Sequence, residues 1–282
     1  YHNEELVLKS FSMKFLVTIF LIAIATVNCG HVPGREGKCE FSNVANDFLG
    51  NVYGCKIKNA ILQKDEKFFV IGTHSSKGRR DLGVKFVEFS LSNISYVPEQ
   101  LFRKFPNLLY LNVNSSGLKK IQPISNASNL KVILANNNQI TNLVANAFGA
   151  MKELETLSFR NNKIAEIDLN AFKNLENLRE LYLADNKISM LHMNTFNPLI
   201  NLEIISLSGN QIQSIDLELF YSSVRLREVL LYDNKLTAIH PQAFTNLREL
   251  FNLELHGNPC VDNDIRADDE VFRQKINRML TN

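Results

Sequence analysis

The sequence predicts an α/β repeat solenoid, in which short parallel strands stack into one sheet and the chain returns between them through irregular or short helical segments. Two observations predict this fold. A leucine-like residue recurs at nearly constant spacing, and each recurrence opens the same alternation of apolar and polar residues. A phenylalanine follows most of these positions at a fixed distance. One such unit cannot bury its apolar face alone, so neighbouring copies must stack on each other.

The repeat begins at eight positions along the chain. These are Val84, Leu108, Leu130, Leu154, Leu178, Leu202, Leu226 and Leu250. The steps between them are 24 residues, except for one step of 22 residues. Each copy follows or approximates the pattern L-x-x-L-x-L-x-x-N-x-L, as in LETLSFRNNKI from Leu154 and LREVLLYDNKL from Leu226. The alternation within L-x-x-L-x-L is typical of a strand with one buried face.

Asparagine occupies a fixed position after most of these strands. The chain turns sharply there, and a side-chain amide can satisfy both the N–H and the C=O groups that the turn removes from water. We therefore interpret these asparagines as structural rather than as binding residues. They are Asn138, Asn162, Asn186, Asn210, Asn234 and Asn258.

Phenylalanine occupies a second fixed position, eighteen residues after a repeat start. Its identical phase predicts a stacked aromatic spine under the convex side rather than an aromatic ligand site. The members are Phe102, Phe148, Phe172, Phe196, Phe220 and Phe244. The repeat from Leu108 is two residues short and lacks this phenylalanine, which predicts an irregularity around Pro123 and Ile124.

These motifs resemble those of the leucine-rich-repeat family over about residues 84–258. The resemblance implies a curved, horseshoe-shaped solenoid with a parallel sheet on its concave face and repeats over 82–258. Proteins of this family often close with a cysteine-rich C-terminal cap that begins at a motif like Asn258-Pro259-Cys260, and here only the first of its cysteines is present. A signal peptide, a Cys39/Cys55 cap and the FPNL motif ending at Leu108 resemble short secreted insect proteins of this family, including leucine-rich immune proteins. In that family the concave surface binds proteins or microbial ligands.

The N-terminal segment has the pattern of a secretory signal. A basic start and an apolar run over 15–27 are followed by small residues, and this run is shorter than the roughly 20 residues of a spanning helix. We expect 13–29 to be a signal peptide, cleaved after Ala25 or Cys29, and 1–12 to be translated upstream sequence or a fragment edge. The protein is then secreted and extracellular, with no membrane span in the mature chain. An uncleaved signal anchor is the alternative.

Both ends of the repeat array need a cap, because each would otherwise expose a strand edge and core. We assign 30–81 to the N-terminal cap, a hairpin or loop closed by a Cys39–Cys55 disulfide, with turns over 43–54 and an apolar strand over 68–71. We assign 259–282 to a C-terminal cap helix. Acidic residues at 268–270 suit its start, and one apolar face contains Phe272, Ile276, Met279 and Leu280.

Two surface chemistries follow from secretion. Cys260 is left without an intramolecular partner, which suggests a disulfide-linked dimer or larger extracellular complex, or a free thiol. Three N-x-S motifs at Asn93, Asn114 and Asn126 are candidate glycosylation sites. All three lie in the first half of the repeats and leave the later repeats bare.

No catalytic constellation is found in the sequence. The six histidines show no H-E-x-x-H spacing, and there is no G-x-S-x-G motif and no phosphate-binding glycine loop. We expect no enzymatic activity, no cofactor and no metal site; an enzyme would need its active site in an irregular segment such as 30–81. The net charge of +2 gives no indication of nucleic acid as a partner.

The concave face is the candidate binding site. It presents the residues two, four and six places after each repeat start, which in the later repeats are Thr156, Ser158, Arg160, Glu180, Tyr182, Ala184, Ile204, Ser206, Ser208, Glu228, Leu230, Tyr232, Asn252, Glu254 and His256. We predict that the ligand contacts Arg160, Glu180, Tyr182, Ile204, Glu228, Leu230 and Tyr232, an apolar and aromatic patch with charges around it. Isolated exposed apolar residues are the alternative interpretation. The predicted ligand is a protein or a microbial surface, in innate immunity or extracellular signalling.

Overall fold

The computed structural model describes residues 35–63, 66–75, 78–260 and 264–266. Its main element is a twelve-stranded sheet. In chain order the sheet contains β1 (Arg35–Asn46), β2 (Gly50–Lys58), β4 (Phe68–Ile71), β5 (Phe86–Ser90), β7 (Tyr110–Asn112), β8 (Val132–Leu134), β10 (Thr156–Ser158), β12 (Glu180–Tyr182), β13 (Ile204–Ser206), β15 (Glu228–Leu230), β17 (Asn252–Glu254) and β18 (Asp264–Arg266).

The chain returns between these strands through turns and short strands. The return strands are β3 (Ile61–Leu62), β6 (Asn93–Ile94), β9 (Asn142–Leu143), β11 (Glu166–Ile167), β14 (Ser214–Ile215) and β16 (Ala238–Ile239). Helical structure in the described residues is limited to α1 (Gln100–Lys104) and a 3-10 turn at Asp81–Gly83. The predicted convex side, irregular with short helices, is therefore confirmed.

Strand pairing reproduces the sequence period. Thr156 pairs in parallel with Glu180, Glu180 with Ile204, and Ile204 with Glu228, so each step is 24 residues. Tyr110 pairs with Val132, which is the predicted 22-residue step. The parallel repeat solenoid is thus confirmed, with every repeat of the sequence placed in a single sheet.

The core is filled by the leucine positions on one side and the phenylalanine positions on the other. Rings of successive phenylalanines lie 5.9–6.5 Å apart between centroids from Phe148 to Phe244. Phe102 is buried in the same core. In the short repeat, the buried side chain of Ile124 packs into that core, and Ile121 forms a single bridge to Leu143. The aromatic spine and its irregularity are both confirmed.

The asparagine ladder bonds each turn to its neighbour. The Oδ1 of Asn186 accepts a hydrogen bond from the N–H of Ile164 (3.0 Å), and its Nδ2 donates to Phe159 (2.9 Å) and Leu183 (3.0 Å) carbonyls. The remaining ladder asparagines repeat this pattern with buried amides: Asn138, Asn162, Asn210, Asn234 and Asn258. The structural role predicted for these residues is confirmed.

A left-handed residue precedes each ladder position. Asn137, Asn161, Asp185, Gly209, Asp233 and Gly257 all have φ between 54° and 67°. Glycine, asparagine and aspartate tolerate this conformation because they have either no Cβ or a short side chain that can hydrogen-bond to the local backbone. Leu91 occupies the same position at φ 49° without either advantage.

The N-terminal cap is built on a disulfide-bonded hairpin. β1 and β2 pair in antiparallel fashion, and Cys39 and Cys55 form a disulfide across them with 5.4 Å between the Cα atoms. The predicted disulfide is confirmed. The predicted turns over 43–54 were too extensive, because the strand ladder continues from the Val44–Val52 pair to Asn46 and Gly50.

The repeat sheet extends into the segment assigned to the cap. β2 pairs in parallel with β5, and β3 pairs in parallel with β6. Cys55, Ile57 and Leu62 are buried like the leucines of a repeat. β2 is therefore the first strand of the repeat array, and β4 beyond β1 forms the sheet edge.

At the other end, β18 pairs in antiparallel fashion with β17. Within the segment 259–282, where the sequence predicts a helix, Asp264–Arg266 is thus a strand. The apolar helix face from Phe272 to Leu280 lies outside the described residues, as do the predicted signal peptide and Cys29. In the part of the chain that the structure describes, no helix has the length and apolarity needed to cross a membrane.

We predict that Asn186→Ala lowers the free energy of unfolding by about 3 kcal/mol. The substitution leaves the buried N–H of Ile164 without its partner, and an unsatisfied buried group costs roughly 1–3 kcal/mol. It also removes one of the two amide hydrogen bonds that the Phe159 and Leu183 carbonyls each accept. Urea unfolding followed by circular dichroism measures the change. Asn177→Ala is the control, since its amide makes one exposed hydrogen bond, to the Lys152 carbonyl. Equal stability of the two variants would contradict a structural role of the ladder.

Candidate functional site

The candidate site is the concave face, by which we mean the side of the large sheet turned away from the main apolar core. The N-terminal part of this face is covered by the protein itself. Phe86, Tyr110 and Val132 are buried there and form a second apolar cluster with Val44, Leu49, Val52 and Leu134. The ring of Phe48, at the tip of the β1–β2 hairpin, lies 5.8 Å from that of Tyr110.

The hairpin therefore limits the concave surface to the later repeats. This contact was not predicted from the sequence, because residues 43–54 were assigned to turns. A signal for it exists: Phe86, Tyr110 and Val132 are large apolar residues at outward positions, and the hairpin carries apolar residues of its own. Burial also raises the pKa of Tyr110 above its usual value, although a hydrogen bond with Asn46 opposes the shift.

Several residues that the sequence places on the exposed concave face are instead buried. They are Thr156, Ser158, Ala184, Ser206 and Ser208, and none is more than 6% exposed. Their side chains are short, so the larger side chains on neighbouring strands cover them. Ser206 lies between Tyr182 and Leu230, its register partners on either side.

The remaining apolar residues form one surface, which we call the central patch: Tyr182, Ile204, Leu230 and Tyr232. All four are partly exposed, and they lie on three consecutive strands, β12, β13 and β15, or directly after them. The ring of Tyr232 stacks on that of His256 at 4.8 Å between centroids. The structure thus brings together the apolar residues that the sequence predicted, over a span of three strands.

Charged side chains fix the orientation of Tyr182. The guanidinium of Arg160 lies 4.2 Å from the centre of the Tyr182 ring, a cation–π contact. The Tyr182 hydroxyl donates to Glu180 Oε2 at 3.3 Å, and the Thr156 hydroxyl donates to the same oxygen at 3.3 Å. These contacts therefore hold the Tyr182 ring in one orientation.

The pKa of the Tyr182 phenol is strongly shifted. Burial, followed by the negative charge and hydrogen bond of Glu180, raises the pKa of Tyr182 to about 12. The phenol therefore stays protonated at physiological pH and serves as a hydrogen-bond donor. Glu228, the other predicted carboxylate, accepts a 3.5 Å hydrogen bond from the amide of Asn252.

The three candidate glycosylation sites differ in position. Asn93 and Asn126 are exposed, on the return strand β6 and in the irregular repeat respectively. Asn114 is partly buried at the end of a concave-face strand, where its Oδ1 accepts from the N–H of Asn136 at 2.7 Å. None of them lies on the strands that carry the central patch.

A chain of hydrogen bonds crosses the N-terminal cap. The Tyr53 hydroxyl lies 3.0 Å from His74 Nδ1, and His74 Nε2 lies 3.1 Å from Asp81. Asp81 also forms a 3.1 Å ion pair with Lys104. Because Tyr53 is only 5% exposed, this network attaches the 72–81 segment to the cap rather than presenting a nucleophile.

Other chemical groups outside the concave face are few. Within the described ranges, no group of three or more His, Cys, Asp or Glu side chains could hold a metal ion. Cys260, just beyond the last ladder asparagine, is exposed and free. Partial burial of its thiol raises the pKa above the usual value.

Comparison with known proteins supports the fold. The leucine rich repeat family model matches residues 128–188, 176–236 and 200–259. No curated protein sequence matches the chain. Together with the strand register, the family matches show that the described chain is a leucine-rich-repeat solenoid.

Solved structures with this fold are similar over most of the chain. A chain of the TLR13–ssRNA13 complex is 29% identical, with a TM-score of 0.59, over 63% of this chain and 26% of that one. A leucine-rich-repeat protein of Leptospira interrogans is 24% identical, with a TM-score of 0.56, over 71% of this chain and 48% of that one. A chain of the mouse RP105/MD-1 complex is 20% identical, with a TM-score of 0.57, over 63% and 31%. This chain spans less than half the length of each.

We predict that Glu180→Gln lowers the pKa of Tyr182 from about 12 while leaving it above the usual value of roughly 10. The neutral amide removes the carboxylate charge that opposes the phenolate, whereas burial of the ring remains. Ultraviolet difference titration against the same protein carrying Tyr182→Phe isolates this one group. An unchanged titration in Glu180→Gln would contradict the coupling. The pKa of Tyr182 is higher in the folded state than in the unfolded state. The contribution of the Tyr182 phenol to the free energy of unfolding is therefore complete below about pH 10 and is lost as the pH rises towards 12.

Proposed function

We propose that this leucine-rich-repeat solenoid is a secreted, non-enzymatic recognition protein that binds a protein partner through the central patch and the charged residues around it. Innate immunity or extracellular signalling is the setting that the resemblance to secreted insect leucine-rich-repeat proteins suggests. The disulfide of the cap supports secretion, since such bonds persist in oxidising compartments.

The observation that carries the proposal is the contiguity of the central patch. Four partly exposed apolar side chains lie on consecutive strands, and neighbouring strands are about 4.8 Å apart. Tyrosine is enriched at the centres of binding interfaces, where a rigid ring buries much area at low entropic cost. Tyr182 and Tyr232 are both pre-oriented, by Arg160 and His256 respectively.

Charge defines the chemistry of the partner. Among the described side chains of the later repeats, Glu180 and Glu228 lie on the same face as the guanidinium of Arg160. This balance favours a partner with an apolar centre and a basic rim. It disfavours RNA, the component named in the TLR13–ssRNA13 complex, because the carboxylates of Glu180 and Glu228 would face the phosphates.

The central patch is also the part of the concave face that neither the cap hairpin nor a glycan would cover. The cap hairpin covers the sheet around Tyr110, and a glycan on Asn114 would occupy the adjoining surface. Glycans on Asn93 and Asn126 would lie away from the patch. We therefore propose that all three asparagines are glycosylated without obstruction of the partner.

We predict that Tyr232→Ala weakens partner binding by about 30-fold, equivalent to ~2 kcal/mol for a hot-spot residue. The partner is first captured from extracellular fluid with the wild-type protein and identified, and its affinity for each variant is then measured by surface plasmon resonance. Tyr221→Ala is the matched control, because Tyr221 is 59% exposed and lies outside the sheet.

A second pair of variants tests the charge. Glu228→Lys is expected to slow association with the partner and to reduce the dependence of the association rate on salt. Glu166 is an exposed carboxylate on the return strand β11, and Glu166→Lys is expected to have no effect. Equal binding by the concave and control variants, with thermal stability unchanged, would exclude the central patch as the interface.

A second candidate function, a subunit of a disulfide-linked extracellular complex, is supported by the exposed free thiol of Cys260. Under this alternative, non-reducing electrophoresis of secreted protein shows a dimer or larger species that disappears in Cys260→Ser. Ser223→Ala, which removes a hydroxyl from the solenoid instead, is expected to leave the linked species intact. A monomeric band that Cys260→Ser does not change would rule out this link.

A further inference from the structure

A cavity of about 570 Å³ lies on the return side of the first repeats, away from the concave face. Its walls come from three neighbouring turns, which meet at Gln63, Ser95 and Lys119. Each of these residues directly follows the last apolar residue of its repeat pattern. The N–H of Ser95 donates to the Leu62 carbonyl at 2.8 Å, and the N–H of Lys119 donates to the Ser95 carbonyl at 3.3 Å.

The irregular repeat accounts for the position of the cavity. Lys119, Lys120 and Gln122 belong to the repeat that is two residues short, and Gln100 begins the helix α1 in the repeat before it. A shorter return segment covers less of the surface beside α1 than a full repeat would. Space for a ligand therefore opens where the 24-residue period is broken.

The walls of the cavity carry a positive charge. Lys67, Lys119 and Lys120 line it and, among the described residues, make no ion pair. Among the described lining residues, one carboxylate is present, that of Glu66, and Arg35 forms a 3.1 Å ion pair with it. The N–H of Gln63 donates to the other oxygen of this carboxylate at 2.8 Å. Among the described residues, the charge at the cavity that no ion pair neutralises is that of three ammonium groups.

A polar group in the wall lacks a partner. Ser95 is 9% exposed, lines the cavity, and its hydroxyl makes no hydrogen bond to any described residue. A buried hydroxyl without a partner costs free energy, and such groups in native proteins indicate a missing partner. The side-chain amides of Gln100 and Gln122 add further donors and acceptors to the same walls.

We propose that this cavity binds a small polyhydroxylated anion, of the class of phosphorylated or sulfated sugars. The three lysines receive the phosphate or sulfate group, and the Ser95 hydroxyl and the glutamine amides bind the sugar hydroxyls. The volume fits a small-molecule ligand and exceeds what an inorganic phosphate would fill. This site is separate from the concave face, so the proposal of a ligand here does not depend on the proposal of a protein partner there.

Isothermal titration calorimetry of the full chain tests the assignment with four probes: glucose 6-phosphate, glucose 6-sulfate, glucose and inorganic phosphate. The expected result is binding of one or both charged sugars, with the two arms distinguishing phosphate from sulfate. Glucose and inorganic phosphate are expected to bind at least about tenfold more weakly, since each lacks one half of the contacts.

Variants locate the binding in this cavity. The double variant Lys119→Ala/Lys120→Ala is expected to weaken binding of the charged sugars by about tenfold or more. The charge-matched control is Lys163→Ala/Lys187→Ala, which removes two exposed lysines elsewhere. Ser95→Ala is expected to weaken binding about three- to tenfold. It also destroys the glycosylation motif of Asn93, so Asn93→Gln, which keeps the Ser95 hydroxyl, is its control.

Three results would overturn the proposal. They are the absence of binding by both charged sugars, equal binding of glucose or inorganic phosphate, and equal effects of the cavity variants and their controls. Thermal denaturation of each variant without ligand confirms that the folded protein is being compared. Ser95→Ala is expected to be at least as stable as the wild type, because it removes an unpaired buried hydroxyl.

Discussion

The hydrogen bonds of the asparagine ladder are the constraint on which the rest of the structure depends. Each strand must be followed at once by a turn, and that turn holds backbone groups away from water. Asn162, for example, accepts from the N–H of Ile140 in the preceding repeat and donates to the carbonyls of Ala135 and Phe159. A turn is thus satisfied only when its neighbour is in place, which couples the repeats to each other and fixes their spacing.

The ladder and the phenylalanine spine together determine which residues are available for binding. The leucine, asparagine and phenylalanine positions of the repeat face inward and are buried, so substitutions at these positions lower the stability of the fold. The outward strand positions carry no such role in the later repeats, and there the chain places tyrosine, isoleucine, leucine and glutamate side by side. Folding and the proposed recognition therefore depend on different positions of the same 24-residue unit.

Most of the fold follows from the sequence because the repeat is periodic and each position has one dominant environment. The strands and the aromatic spine could be predicted in this way, whereas the Cys39–Cys55 bond could be predicted because the two cysteines lie close together in the sequence. The cover over the N-terminal part of the concave face could not, since it depends on how far a non-repeating hairpin reaches. The burial of Ser206 and its neighbours was also missed. It depends on the size of side chains one strand away, which are 24 residues distant in sequence. The cavity beside the short repeat has the same origin, a departure from the period.

The reversal of strand direction at both ends of the sheet has a consequence for the evolution of the molecule. β1 runs antiparallel to β2 and pairs in parallel with the edge strand β4, and β18 runs antiparallel to β17. The strand at each end of the described sheet therefore runs opposite to the repeat strands, so another repeat could not continue the parallel ladder there. The ends act as terminators, and growth by duplication is confined to the interior. Each internal duplication would insert one strand and extend the recognition face by a single increment of about 4.8 Å, while both termini of the array stay unchanged.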